Sequence, residues 1–146
     1  MNNARTRPAW NKVTRYDPFN KDDTNAFLDL PDMNEARAFA AAAMYTIDAK
    51  KTLVVCGSSG YLKSTTCESH QSGVSAWSKS FANMDRPRLR PALISPGTGK
   101  NLYLVSFDVR DSYDAIRVYD PDDNQWKEVG GRKIQSRYFA SVVPWK

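Results

Sequence analysis

Short runs rich in β-branched and aromatic residues, divided by clusters of Gly, Pro, Asp, Asn and Ser, set the pattern of this chain. Trp10 to Tyr16 alternates as an exposed strand would, and Thr52 to Gly57 is a strand-like apolar run. Ser64 to His70 favours β structure, Pro91 to Ile94 is a shorter run, and Asn101 to Phe107 is a clear strand. Turns are predicted at residues 48–51, 57–60, 71–73 and 95–99, with a polar loop over 108–114. The best-defined unit is Tyr119-Asp120-Pro121-Asp122-Asp123-Asn124-Gln125-Trp126, approached through Ala115 to Val118. Asp and Asn bond their own backbone in turns and Pro presets φ, so this segment reads as two antiparallel strands with an aromatic at each end. Ala36 to Tyr45 is the conflicting stretch. Its alanines favour helix, but it is short, lacks a clear cap and leads directly into a strand-like run.

The hairpin has echoes. Tyr16-Asp17-Pro18 precedes Phe27, and His70 stands seven residues before Trp77 as Tyr119 does before Trp126. Arg37 and Arg88 are 51 residues apart, Arg88 and Arg137 are 49, and Met33 and Met84 are 51. Phe27 to Trp77 is 50 and Trp77 to Trp126 is 49. Independent markers sharing one period near 50 residues are the signature of a repeat architecture, each copy being one four-stranded sheet.

Tyr-Asp-Pro, then Trp, Met, Arg with small residues, and an apolar strand ending in Gly resembles the kelch repeat, from about Val13 to Val143. The usual glycine pair appears as Cys56-Gly57 in one copy and Ser106-Phe107 in another, and Phe27 replaces Trp in the first. The resemblance implies an all-β fold, a β-propeller segment of kelch type with about three four-stranded blade units in permuted phase. It divides the chain into a flexible lead (1–9), the outer strands of one blade (10–32), two blades (33–83 and 84–131) and the first strand of another (132–146). It also places residues 38–45 on the innermost strand of a blade, where small side chains suit the crowded axis, so strand displaces helix there. Open sheet edges invite pairing, so the expectation is self-association or pairing with further blades to close the ring.

Recurrent residues are expected to be architectural: Phe27, Trp77 and Trp126 as packing between blades, Tyr16 and Tyr119 with their Asp-Pro partners as turn formers, Arg37, Arg88 and Arg137 as ties to loop carbonyls. Function is sought on loops that do not repeat. By the kelch resemblance, partners contact the loops between second and third strands (Ser58, Ser59, Tyr61 and Lys63, then Arg110, Asp111 and Tyr113) and those leading to the next blade (Asp85 and Arg86, then Arg132 and Lys133). The arginines suit bidentate capture of carboxylates, so the expected partner is a protein or peptide, an acidic one fitting best.

Composition narrows the alternatives. At 146 residues the chain is about one domain, and its four Trp, seven Tyr and six Phe argue against disorder. The net charge of +5 is spread along the chain without a basic block, so nucleic acid is not an expected partner. No run reaches the about 18 apolar residues of a membrane span, and the amino terminus lacks the apolar core of a secretory signal. With no glycosylation sequon, these features favour a cytoplasmic setting. Two cysteines, Cys56 and Cys67, are too few for a disulfide framework and read as free thiols on neighbouring strands.

One histidine supports neither a triad nor a metal cluster, the Asp-rich turn lacks the spacing of a calcium loop, and Gly97-Thr98-Gly99-Lys100 lacks the first glycine of a phosphate loop. The chain is therefore expected to be non-catalytic, without cofactor or metal. Two other readings stay open. One is a fragment of a secreted kelch-propeller copper-radical oxidase, which requires a Cys-linked Tyr and two His, against Cys56, Cys67 and His70 here. The other is a sugar-binding propeller using Tyr61 and Tyr113.

Overall fold

The computed structural model describes residues 10–20, 26–57, 64–97, 100–107 and 113–135. The fold is all-β. Among the described residues nine strands, β1 (Val13–Tyr16), β2 (Phe27–Leu30), β3 (Ala41–Ile47), β4 (Lys50–Cys56), β5 (Cys67–Gln71), β6 (Leu89–Ile94), β7 (Tyr103–Phe107), β8 (Tyr113–Asp120) and β9 (Gln125–Gln135), form three antiparallel sheets. The first is β1-β2, the second β3-β4-β5, the third β6-β7-β8-β9. A bridge between Ser69 and Ser78 adds a short fourth segment to the second sheet. The sheets do not close into a ring among the described residues. Nor is any helix there long and apolar enough to cross a membrane.

The Ala-rich stretch is a strand. Ala41 to Ile47 pairs with Cys56 to Lys50 in an unbroken ladder, and the hairpin turns on Asp48 and Ala49 alone. Both have positive φ, 48° and 61°, the form whose twist matches the flanking strands. A full set of cross-strand bonds and a buried face outweigh the modest helix preference of alanine.

Strand alternation feeds two cores. Val54 joins Ala41, Tyr45, Cys56, Cys67, Phe81 and Met84 against Leu93, Leu102, Leu104 and Tyr119, between the second and third sheets. Its neighbour Val55 faces the other way and packs with Met33 and Trp77, with Val13 of the first sheet against them. The second sheet is thus covered on both faces.

The structure corrects one expectation here. Cys56 and Cys67 are disulfide-bonded, not free. They are directly opposed in the β4-β5 register with Cα atoms 4.1 Å apart, close enough for the side chains to meet without bending either strand. The Gly130-Gly131 pair does not end β9. Gly130 has φ 44° and sits in a bulge where two steps along β8, Ala115 to Arg117, match five along β9, Glu128 to Lys133.

Candidate functional site

Two of the three copies of the motif build their turn in the same way. Asp17 Oδ1 accepts a bond from the Phe19 amide at 3.0 Å, and Asp120 Oδ1 accepts one from the Asp122 amide at 3.0 Å, so both Asp-Pro steps are side-chain-capped turns. Each turn closes on a ring pair: Tyr16 with Phe27 at 4.9 Å between centroids, and Tyr119 with Trp126 at 5.6 Å. His70 and Trp77 form the third pair at 5.2 Å. The two indoles are anchored alike. Trp77 Nε1 donates to Pro31 O at 2.7 Å and Trp126 Nε1 to Ala82 O at 3.1 Å, acceptors 51 residues apart. Phe27 departs from expectation. It packs against no other sheet but lies exposed beside Tyr16, because no described sheet stands on that side of β1-β2.

Arg37 behaves as a structural tie. Its guanidinium donates to Gly57 O at 3.0 Å, to Thr66 O and Oγ1 at 2.9 Å each, and to Glu68 at 2.7 Å. Glu68 also accepts from the Asn34 amide and side chain and from the Glu35 amide. Burial alone would raise its carboxyl, but the hydrogen bonds from Arg37 and Asn34 outweigh this and hold it below the ordinary 4.5. Glu35 completes the network, accepting from Ser64 and Thr66. Arg137 lies outside the described residues.

The residues nominated on the loops divide into three groups. Ser58, Ser59, Tyr61, Lys63, Arg110 and Asp111 lie outside the described residues. Asp85 and Arg86 lie on the connection into β6, and Asp85 is engaged: it accepts from Arg88 at 2.9 Å and Arg117 at 3.2 Å. Burial would raise its carboxyl, yet the Arg88 hydrogen bond and the nearby guanidinium charges lower it. Tyr113, Arg132 and Lys133 are corrected from loop to strand. Tyr113 opens β8 and is opposed to Gln135, and Lys133 is opposed to Ala115, because β8 and β9 keep pairing past the bulge.

The flanks of these loops converge on one edge of the sheets. Met84 donates its amide to Thr65 O at 2.9 Å. Gly57, with φ 77°, comes so near that a Cβ there would lie 3.0 Å from Met84 Cε and 3.3 Å from Pro91 Cγ. The connection between Cys56 and Cys67 therefore starts and ends beside the one that carries Asp85 and Arg86.

The opposite edge holds features the sequence did not suggest. Asn124, at φ 48°, accepts from the Ala82 amide and the Tyr119 hydroxyl, both at 3.0 Å, and donates to Ser80 O at 2.9 Å. It clamps the β8-β9 turn to the second sheet's last segment. Beside it a cleft of about 460 Å³ opens between Ile47, Gln71, Ser78, Ser80 and Tyr119, and none of its lining side chains is charged. Its hydroxyls and amides suit a neutral polar molecule rather than an ion. Among the described residues, no three His, Cys, Asp or Glu side chains gather to hold a metal ion.

No protein-family model matches this chain, and no curated protein matches it.

Proposed function

We propose that the chain is a kelch-type β-propeller segment of about three four-stranded units, acting as a non-catalytic scaffold that binds a protein or peptide through its inter-strand loops. The observation that carries this reading is the repeated joint between sheets. Trp77 against Pro31 and Trp126 against Ala82 are the same anchor one period apart. Face-to-face stacking of successive antiparallel sheets is how propeller blades pack. The meeting of Gly57, Thr65, Met84 and Pro91, with Phe107 opposed to Leu89, at one edge supports a binding surface there. In sequence, the connections leaving this edge carry Lys63, Arg86 and Arg110, and these cations favour an acidic peptide.

The Cys56–Cys67 bridge supports an oxidising compartment over the cytoplasm, and with it a place in a secreted protein. Binding of acidic and neutral peptides of equal length, followed by fluorescence anisotropy, tests the function. The acidic peptide is expected to bind more tightly, to weaken with salt, and to lose at least about tenfold in affinity on combining Lys63→Glu with Arg86→Glu. Equal affinity for both peptides, or no effect of the double substitution, overturns the assignment.

A further inference from the structure

The three ring pairs differ in what covers them. His70 and Trp77 are 6% and 5% exposed and Tyr119 is 8% exposed, but Tyr16 and Phe27 are 58% and 65% exposed. Trp77 packs with Met33 and Val55 in the joint to the first sheet, and Tyr119 with Phe81 in the joint to the second. Tyr16 and Phe27 present the same face of the first sheet to solvent.

The far side of the third sheet carries the complement. Leu93 and Leu104 point into the core shared with the second sheet, so alternation turns Ile94 and Tyr103 outward. Ile94, Tyr103 and Val118 are opposed in register across β6, β7 and β8, a partly exposed apolar row. The corresponding row of the second sheet is Ala43, Val54 and Ser69, and there Val54 is fully buried beneath the third sheet. The chain thus displays both halves of a contact that it makes twice internally.

We infer that these two faces bind each other between copies, the Tyr16–Phe27 face of one chain seating on the Ile94–Tyr103–Val118 row of a second. The inference rests on the stacked-sheet architecture proposed above and is independent of the acidic-peptide partner. The contact is heterologous, so it builds a ring if the rotation closes and a chain of subunits if it does not. Phe27 suits this joint because it has no indole N–H and needs no carbonyl acceptor, unlike Trp77 and Trp126.

Sedimentation equilibrium of the full chain at micromolar concentration tests it. The wild type is expected at twice the chain mass or a higher multiple. Phe27→Glu and Ile94→Glu are each expected as monomers with unchanged circular dichroism, Val118→Glu replacing Ile94→Glu if the latter does not fold. Mixing the two variants restores one joint, so an equimolar mixture should give a dimer and nothing larger. A monomeric wild type, a mixture that stays monomeric, or an Ile94→Glu variant that keeps the wild-type mass overturns the inference. A monomeric wild type that still prefers acidic peptides overturns this inference alone. If acrylamide quenches Trp77 and Trp126 as freely as an exposed indole, the stacked-sheet architecture falls, and this inference with it.

Discussion

Arg37 and Glu68 meet at 2.7 Å with both side chains 1% exposed, and the third sheet fills the corresponding position with the opposite charge. Glu68 is opposed to Val55 on the middle strand of its sheet, and Arg117 is opposed to Leu104 in the same way. A strict copy would therefore set Arg88 against Arg117. Asp85 bridges them instead, accepting from both. One position of the repeat is thus neutralised directly in one sheet and through a loop carboxylate in the next.

Removing one partner of a buried pair strands the other charge, at a cost of about 3–5 kcal/mol. Glu68→Gln is expected at the lower end, about 3 kcal/mol, because the amide keeps one carbonyl acceptor but the Arg37 charge loses its fully buried counterpart. Urea unfolding of the two proteins measures the difference. The Glu68 carboxyl is held below its ordinary 4.5 in the folded state. Its stabilisation is therefore complete above the unfolded value and is lost as pH falls through the lower folded one. Below about pH 4.5 the wild type should lose stability more steeply than Glu68→Gln.

Asp85 is about half exposed, so its two guanidinium contacts are screened and worth less than the buried pair. Asp85→Ala is expected to cost about 1 kcal/mol, and Asp85→Asn somewhat less. The loss should shrink in high salt, which separates it from a packing defect. Thermal melts of both variants at low and high ionic strength provide the check.

The repeat was legible because its markers do work in the backbone. Asp17 and Asp120 cap turns, Tyr119 and Trp126 are opposed in register, and Arg37 ties carbonyls, so each residue type is fixed by a local need. The Ala-rich strand was legible only through the repeat, since its own propensity points to helix. The Cys56–Cys67 bridge was not, because opposition depends on register between β4 and β5, and a shift of one residue would separate the sulfurs. Phe27 matched the spacing of a packed aromatic, but burial depends on which sheet stands beside it. Glu68 gave no signal, since its partners lie more than 30 residues away, and the bonds by which Asn124 reaches the second sheet span more than 40.

The disulfide closes the short connection between β4 and β5, whose ends are 11 residues apart. A loop of that size is worth about 2–3 kcal/mol through restriction of the unfolded chain. Cys56→Ser with Cys67→Ser, or reduction by dithiothreitol, should lower unfolding free energy by about that amount. Thiol titration of the denatured, unreduced protein should find no free cysteine.

Asn124 combines a backbone role with a bonding role, and two substitutions separate them. Asn124→Gly keeps the positive φ accessible but removes the bonds to Ala82, Ser80 and Tyr119. Three hydrogen bonds in a partly exposed site give an expected loss of about 1–2 kcal/mol. Asn124→Ala loses the same bonds and adds the strain of a Cβ at φ 48°, about 1 kcal/mol more. If the two variants unfold at equal urea concentration, backbone conformation is not part of what Asn124 supplies.

Ala49 offers the opposite sign. It holds φ 61° at the second position of the two-residue β3-β4 turn, where an L side chain crowds the following carbonyl, and it is solvent-exposed. Asp48, with φ 48°, is tolerated better because its short polar side chain can bond locally. Ala49→Gly therefore relieves strain in the folded state while adding freedom to the unfolded chain, two effects of opposite direction. In a turn that demands positive φ the first is larger, since Asp-Gly is a preferred pair for this hairpin type. A net stabilisation of about 0.5–1 kcal/mol is expected, read as a higher urea midpoint at unchanged slope. The mirror substitution, Gly57→Ala, should destabilise by more, because there a Cβ meets Met84 and Pro91 as well as an unfavourable φ of 77°. The pair of variants then measures, within one sheet, what a positive φ costs alone and what it costs with the space already filled.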